Sequence, residues 1–510
     1  MIKKQKAVLA LAFTTAVLYS CSLPLWEGFD EPFHYGYVQV LSEWRCLPVQ
    51  NRTPLSLEVE KSLAFTPQSR IVLHGVAGKR ERRQHLDELA SSSSFLRKTP
   101  STLVNYENQQ APLAYLLMAP LDLLCSRMTL SHRVLLLRLV GSIAAVGFSF
   151  IALRKLMNSL RVQHAFQMAA LACVFESQMF WASVAHVGND WLAIPLTIAF
   201  LAYGAIAVNN REFRDLALCA TTLALGLLTK AYFLVFVPAF IALVSYQWKQ
   251  HASHLKRYLF IGLIPGIIAG PWYLRNVLIY RSLSGTQESV SGISFGQALA
   301  AAPKIDWLTN SVDFMRWSLW TGNWSFLSFS RITLNIEMAL LFLSGILYLA
   351  HYRRVRRAEA WVLGACGCFL LGLIYQTCAT FLHTRGASTA PEPWYWQGVL
   401  SALWAVCFMG LQVSGVWGRC VATALLGVTG WIAALTYGAK LLPFYGGLTV
   451  RSTIGNVWRW WHDQPTRSLE YVVLGPVWVV YLFLSLFYLL LFAVTVSAAR
   501  ELWRERFPFP

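Results

Sequence analysis

The sequence has few charged residues. Only 13% of its 510 residues are Asp, Glu, Lys or Arg, whereas 56% are hydrophobic, and the mean hydropathy is +0.47. A soluble protein of this length needs a more polar surface, and apolar runs of about 20 residues recur along the chain. The sequence therefore predicts an all-α polytopic membrane protein, because the apolar runs have helical length and not the short alternation of an outer-membrane barrel.

Acidic residues are especially scarce, with 25 Asp and Glu against 43 Lys and Arg, for a formal charge of +18. The basic residues lie in short loops between apolar segments, so they indicate membrane orientation and contact with anionic headgroups, not nucleic-acid binding. A phosphate-binding Gly-rich loop with Lys and a zinc-protease HExxH motif are both absent from the sequence. The ten cysteines lie mostly inside apolar segments, which predicts buried hydrophobic side chains.

Twelve membrane spans with both termini in the cytoplasm account best for the charge distribution. Three lysines precede the first span at 7–25, and basic connectors occur at 154–161, 249–257, 351–357 and 500–506. The further predicted spans are 134–153, 165–187, 191–208, 216–229, 231–247, 258–274, 332–350, 360–382, 394–412, 419–441 and 469–496. Segment 111–125 is short and contains Pro112 and Pro120, so we predict a re-entrant or interfacial hairpin; a full crossing there would give thirteen spans.

The stretch 26–48, directly after the first span, combines two adjacent acids with an amphipathic pattern. Asp30 and Glu31 precede Pro32, which suits the first turn of a helix, and apolar residues then recur at three- and four-residue spacing. We predict a helix at the outer membrane face with one side against lipid or protein. An alternative interpretation is that one of the acids only caps this helix.

The predicted topology gathers ionisable and polar side chains at the outer face. Its members are Asp30, Glu31, His34, Asn189, Asp190, Lys230, Arg275, His383 and Arg385. Charges beside apolar segments are costly unless they pair or line a wet cavity. Carboxylates next to cations suit a reaction in which a base deprotonates a hydroxyl while cations hold a leaving phosphate. Structural roles stay open: Lys230 could snorkel to the interface, Arg275 could anchor a span, Asp190 could cap a helix, and both histidines could be structural.

The segment DEPFHYGYVQVLSE resembles the DE motif of GT-C fold glycosyltransferases, particularly the branch of the protein O-mannosyltransferases and lipid A aminoarabinose transferases. Later segments resemble further motifs of that group in the same order over about residues 1–290. They are QQAPLAYLLMAPL, LLLRLVGSIAA, SVAHVGNDWLA, GLLTKAYFLVFVP and PWYLRNVLIYRSLSG.

The resemblance implies a GT-C-like bundle of about 12–13 transmembrane helices with external amphipathic helices in the first loop. Residues 1–290, including the external loop 26–110, would form the shared module, and residues 291–510 a variable C-terminal module. The implied activity is inverting transfer of a sugar from a polyprenyl-phosphate donor to a glycan, glycolipid or protein acceptor. The implied setting is the cytoplasmic (inner) membrane, with the active site on the outer face.

Carried over by position, the resemblance makes Asp30 the general base and gives Glu31 an assisting or orienting role. Asp190 would lie near the donor phosphate or a cation, and Lys230 and Arg275 would contact the lipid phosphate. His34, Asn189, His383 and Arg385 are the remaining candidates for substrate binding. Some members of the fold need a divalent cation, which stays open here, since the sequence itself shows no ligand set.

This sequence departs from the pattern in carrying His34 after the acids, and Gln109 and Gln110 where an acid–lysine pair is expected. Two other functions therefore stay open. A transporter or flippase of lipid-linked sugars would be expected to contain inverted repeats, and the sequence contains no internal repeat. A catalytically silent assembly subunit is the other.

Overall fold

A computed structural model describes residues 2–70, 79–250, 252–351, 355–449, 452–463 and 469–504. Residues 71–78 of the predicted external loop lie outside this range, as do parts of three basic segments, at 251, 352–354 and 505–506. The protein is 78% helical, which confirms the predicted all-α class.

The helices follow one another along the whole chain. They are α1 (Ile2–Ser22), α2 (Glu31–Gln39), α3 (Leu57–Ser62), α4 (Lys79–Leu96), α5 (Leu113–Leu124), α6 (Leu130–Ser159), α7 (His164–Glu176), α8 (Gln178–Val184), α9 (Asp190–Asn210), α10 (Phe213–Leu227), α11 (Val237–Gln250), α12 (Leu255–Tyr280), α13 (Gln287–Val290), α14 (Phe295–Ala301), α15 (Trp307–Leu319), α16 (Arg331–His351), α17 (Arg357–His383), α18 (Gln397–Val413), α19 (Gly415–Leu435), α20 (Leu442–Tyr445), α21 (Ile454–His462) and α22 (Val477–Arg504). Strands β1 (Pro54–Ser56) and β2 (Pro100–Val104) form an antiparallel pair within the segment 26–110, the predicted external loop.

Eight helical stretches within the described residues are long and apolar enough to cross a membrane. They are Leu130–Ser159, Asp190–Asn210, Ala231–Gln250, Leu255–Tyr280, Arg331–Ala350, Arg357–His383, Gly415–Tyr445 and Val477–Arg504. The protein is therefore a multi-pass membrane protein.

The eight spans are fewer than the predicted twelve or thirteen, although every predicted span contains helix. Segment 165–187 is broken at Ser177 into α7 and α8, and α10 and α18 have only 15 and 17 residues. Helix α5 has 12 residues, so at about 1.5 Å per residue it is too short for a hydrocarbon core of about 30 Å. Its length agrees with the predicted hairpin, whose place in the membrane stays a prediction.

Helices from both halves of the chain share one hydrophobic core. The first helix, α1, packs against the last, α22, and also against α6. Helix α9 contacts α6, α10, α17 and α18. These contacts join helices on both sides of residue 290. The predicted division of the chain at that residue stays a prediction.

Helix α2 is more enclosed than its amphipathic pattern predicts, because α5, β1 and the 3₁₀ turn Tyr106–Gln109 pack around it. Eight of its nine residues are buried. At Gly36, a Cβ atom would lie 2.3 Å from Cδ2 of Leu55, so a larger residue there would force the Leu55 side chain of β1 to move. Of the two predicted surroundings for the packed face, lipid or protein, the structure places protein around the helix.

A buried ion network fixes the loop around α2. Arg133 contacts Glu58 at 2.5 Å, and Arg97 contacts Asp122 at 2.8 Å. Asp122 also accepts a hydrogen bond of 2.8 Å from the Tyr35 hydroxyl, which lies on α2. Buried charges are stable only when they are paired in this way, so α2 is held rigidly over α5 and α6.

Candidate active site

Asp30 precedes α2, but its side chain does not cap the helix. The backbone at Asp30 is left-handed, with φ 52° and ψ 17°, and its carbonyl oxygen accepts hydrogen bonds from the N–H groups of Phe33 and His34. Its carboxylate makes no capping hydrogen bond and instead accepts one of 2.5 Å from the Tyr106 hydroxyl. The carboxylate of Asp30 is thus directed away from the helix, in a conformation that Asp tolerates better than most residues.

The surroundings of Asp30 change its acidity in two directions. Burial raises the pKa of the Asp30 carboxyl above its usual value, because the charged form loses hydration. The hydrogen bond from Tyr106 and the positive charge of Lys230 oppose this effect. A partly buried carboxylate with a raised pKa and one good donor is suited to accept a proton.

Lys230 and Asp190 form a buried ion pair next to this carboxylate. The Lys230 ammonium lies 2.7 Å from Asp190 Oδ1, and both side chains are less than one-tenth exposed. The rings of Tyr395 and Tyr232 also face the ammonium, with centroids 5.0 and 5.6 Å from Nζ. Asp190 therefore does more than begin α9, and Lys230 is held inside the protein instead of reaching toward solvent.

Asn189 links this ion pair to the loop that carries Tyr106. Its Nδ2 donates to Gln110 Oε1 at 3.0 Å and lies 3.4 Å from the Thr229 carbonyl oxygen, beside Lys230. Three chain segments, 106–110, 189–190 and 229–230, thus meet at one point through short polar contacts.

Glu107 and His34 form a second buried pair in the same cluster. His34 Nδ1 lies 3.7 Å from Glu107 Oε2 and 2.7 Å from the Tyr115 hydroxyl. Burial, reinforced by the nearby Asp30 carboxylate, raises the pKa of Glu107 to about 8. Burial also lowers the pKa of His34 well below its usual value, and the neighbouring His186 and Lys230 act in the same direction. At neutral pH, the neutral forms of Glu107 and His34 are therefore favoured.

Glu31 lies behind this cluster and is fully buried. Arg138 donates to both of its carboxylate oxygens, to Oε1 from Nε at 2.6 Å and to Oε2 from Nη2, and the Val187 N–H also donates to Oε1 at 2.9 Å. Arg138 in turn donates to the carbonyl oxygens of Leu23 and Pro24 at the end of α1. This arrangement gives Glu31 an orienting position, connecting α1, α6 and the turn before α9.

Three predicted residues lie away from the cluster. Arg275 donates to the Pro48 carbonyl oxygen at 2.6 Å, and its guanidinium lies over the rings of Trp272 and Tyr280. His383 and Arg385 are exposed at the end of α17. Of the nine predicted residues, the structure therefore groups Asp30, His34, Asn189, Asp190 and Lys230, with Glu31 behind them.

The acidic side chains of the cluster have hydrogen-bond or ion-pair partners within the protein. Within the described part of the chain, no three His, Cys, Asp or Glu side chains are grouped closely enough to hold a metal ion. Asp30 already accepts from Tyr106, Asp190 from Lys230, and Glu107 from Gln110 Nε2 at 2.8 Å.

No protein-family model and no curated protein sequence matches the chain. Three solved structures are similar to the chain, each with a TM-score below 0.5. With ArnT from Cupriavidus metallidurans bound to undecaprenyl phosphate, the identity is 12% and the TM-score 0.49, over 98% of this chain and 74% of that one.

The similarity covers a smaller share of the other two solved chains. With arabinosyltransferase EmbB from Mycobacterium smegmatis, the identity is 13% and the TM-score 0.39, over 91% of this chain and 43% of that one. With the Archaeoglobus fulgidus oligosaccharyltransferase in complex with Zn and sulfate, the identity is 13% and the TM-score 0.33, over 83% of this chain and 52% of that one. At such low identities and TM-scores, the function proposed for this chain has to rest on its own side chains.

Sequence reasoning missed Tyr106, Glu107 and Arg138. Tyr106 and Glu107 lie in a polar loop without helical periodicity, only five and four residues before Ala111, in the segment NYENQQA. Their adjacency to a predicted short hairpin was the available signal. Arg138 lies inside a predicted span, where a charged residue indicates a buried partner, but the sequence does not identify Glu31 as that partner.

Proposed function

We propose that the chain is an inverting glycosyltransferase that moves a sugar from a polyprenyl-phosphate donor to an acceptor hydroxyl at the outer membrane face. The observation that carries this proposal is the Asp30 carboxylate, which is freed from helix capping and lies close to the buried Lys230–Asp190 pair. A base and a buried cation in one partly enclosed site are the two groups that this reaction needs.

In the proposed reaction, Asp30 removes the proton from the acceptor hydroxyl as its oxygen attacks the anomeric carbon of the sugar. The new carbon–oxygen bond forms while the bond from that carbon to the phosphate oxygen breaks. The polyprenyl phosphate leaves with the electron pair, and Lys230 stabilises its negative charge. A single displacement from the opposite face inverts the anomeric configuration, and no step requires a metal ion.

The remaining residues of the cluster support these two groups. Tyr106 orients the Asp30 carboxylate, and Asp190 positions the Lys230 ammonium. Glu107 and His34, favoured in their neutral forms, add no net charge that would compete with the phosphate for Lys230. Arg275 stays a proposed contact for the lipid phosphate, because one buried nitrogen of its guanidinium, Nη1, has no hydrogen-bond partner within the described residues.

The test compares Asp30→Asn with the wild-type chain in membranes supplied with radiolabelled polyprenyl-phosphate sugars. We expect transfer to fall by about 10²-fold or more while protein level and donor binding persist, because Asn cannot accept the proton. Asp306→Asn is the matched control, since Asp306 also precedes a helix and Asn preserves its capping bond to the Thr309 N–H.

Other outcomes identify the alternative functions. Unchanged transfer in Asp30→Asn would remove Asp30 from the role of base. Lipid translocation without transfer in the wild-type chain would identify a flippase, and neither activity would be expected of an assembly subunit.

A further inference from the structure

A cavity of about 410 Å³ lies between the segment 291–304 and the end of α17, and none of the Asp30 cluster residues lines it. Its polar lining comes from Ser291, Gln297 and Lys304, and Leu382 of α17 contributes part of its wall. Volumes of this size accommodate a small ligand or a headgroup.

The charge of this cavity favours an anion. Lys304 is the only charged side chain among the described residues that line it, and His383 Nδ1 lies 3.2 Å from the Ser291 hydroxyl. Two acids lie nearby in the chain but do not line the cavity: Glu288 accepts from the Thr380 hydroxyl at 3.0 Å, and Asp306 accepts from the Thr309 N–H at 3.1 Å. A negative group entering the cavity would therefore meet a cation and hydroxyl or amide donors.

The cavity lies at a membrane boundary. Helix α17 is a candidate span that ends at His383, and its Leu371 is 68% exposed, as a lipid-facing residue would be. Helix α14 packs against α17, yet Phe295 and Leu299 of α14 are 64% and 46% exposed. These two residues are four positions apart and so share a face of α14. Exposed apolar side chains beside the end of a span favour contact with the bilayer over contact with water.

We propose that this cavity binds the phosphate headgroup of an anionic phospholipid, with Lys304 as its counter-ion and the acyl chains lying along α17 from Leu382 toward Leu371. The lipid is bound as a membrane component and not as a reactant, so the site is independent of the sugar transfer proposed for the Asp30 cluster.

The test measures lipid binding to the full-length chain in detergent by native mass spectrometry. Dioleoyl-phosphatidylglycerol is compared with dioleoyl-phosphatidylcholine, which is zwitterionic. We expect the first phosphatidylglycerol to bind about fivefold more tightly, because one basic residue at a membrane surface contributes about 1 kcal/mol. The variant Lys304→Gln should lose this preference, whereas Lys304→Arg should keep it.

The variant Lys256→Gln is the matched control, because Lys256 is also an exposed lysine but lies at the start of α12. Equal loss of preference in Lys256→Gln and Lys304→Gln would overturn the assignment, as would an unchanged preference in Lys304→Gln. Displacement of phosphatidylglycerol by an equal concentration of sn-glycerol 1-phosphate would also overturn it, since a soluble phosphate would then suffice. Because Lys304 is exposed, all variants are expected to keep the gel-filtration profile of the wild-type chain.

Discussion

The Tyr106 hydroxyl donates a hydrogen bond of 2.5 Å to Asp30 Oδ1, across 76 positions of sequence. The Tyr106 ring also packs on Phe33, one turn into α2, with centroids 4.2 Å apart. One aromatic side chain thus holds both the helix and the carboxylate that precedes it. The hydrogen bond favours the charged form of Asp30, which is the form that a general base requires.

We expect Tyr106→Phe to move the acidic limb of the rate profile to higher pH. Removing the donor leaves burial as the stronger influence, so the pKa of Asp30 rises further and the base is protonated over a wider range. A hydrogen bond to a charged group contributes about 1.5–3 kcal/mol, which corresponds to a displacement of about one to two pH units. Transfer rates between pH 5 and pH 9 measure the change.

The control for this variant is Tyr203→Phe, because Tyr203 lies on α9 and contacts Lys155, outside the cluster. A profile that keeps its position in Tyr106→Phe, with only a uniformly lower rate, would contradict the proposed effect on Asp30.

We expect Glu107→Gln to remove a decline in stability with rising pH. Burial raises the folded-state pKa of Glu107 from its ordinary value of 4.5 to about 8, so the folded chain binds the proton more tightly than the unfolded chain. The stability contribution of Glu107 therefore falls as the pH rises between these values and is constant outside them. Unfolding temperatures at pH 5, 7 and 9 should decline for the wild-type chain and decline less for Glu107→Gln. Parallel declines in both chains would show that Glu107 keeps an ordinary pKa.

The sequence predicts the site residues whose position follows from the order of the apolar segments. It misses those whose position depends on contacts between residues far apart in the sequence. Asp30, Asn189, Asp190 and Lys230 each stand at the end of an apolar segment, so counting segments predicts that they share a side of the membrane. The turn that carries Tyr106 depends instead on distant contacts, such as the hydrogen bond of 2.7 Å from Asn105 Nδ2 to the Phe33 carbonyl oxygen. Such contacts leave no periodic pattern in the sequence.

The same distinction between local pattern and distant contacts explains which features of the fold the sequence predicts. Hydrophobic runs predict helices and their order, and each of the twelve predicted spans contains helix. Helix lengths were predicted less well, because the break at Ser177 is not marked by proline or glycine. The extent to which α2 is buried also exceeds the prediction, since an amphipathic pattern indicates one packed face and not burial on nearly all sides.

We expect Lys230→Gln to lower kcat by about 10²-fold or more with a smaller effect on donor KM, because Lys230 is proposed to act on charge that develops as the phosphate leaves. Lys230→Arg keeps a positive charge and should retain more activity, although its larger group fits the Asp190 pocket less well. Steady-state transfer at several donor concentrations separates the two constants. A change confined to KM would instead assign Lys230 to ground-state binding of the donor.

The buried pair of Glu31 and Arg138 allows a test of whether Glu31 only positions the site and takes no part in the reaction. Removing one partner leaves an unpaired charge in the interior, so Glu31→Gln should cost about 3–5 kcal/mol of stability. The double variant Glu31→Leu with Arg138→Met leaves no charge behind and should recover part of that loss. Unfolding by SDS in mixed micelles measures all members of the cycle.

If Glu31 only orients the site, the transfer that remains in folded Glu31→Gln should keep the wild-type pH profile, because Asp30 is untouched. A displaced profile would show that Glu31 takes part in proton transfer, and the role of base would then belong to the pair of acids instead of to Asp30 alone.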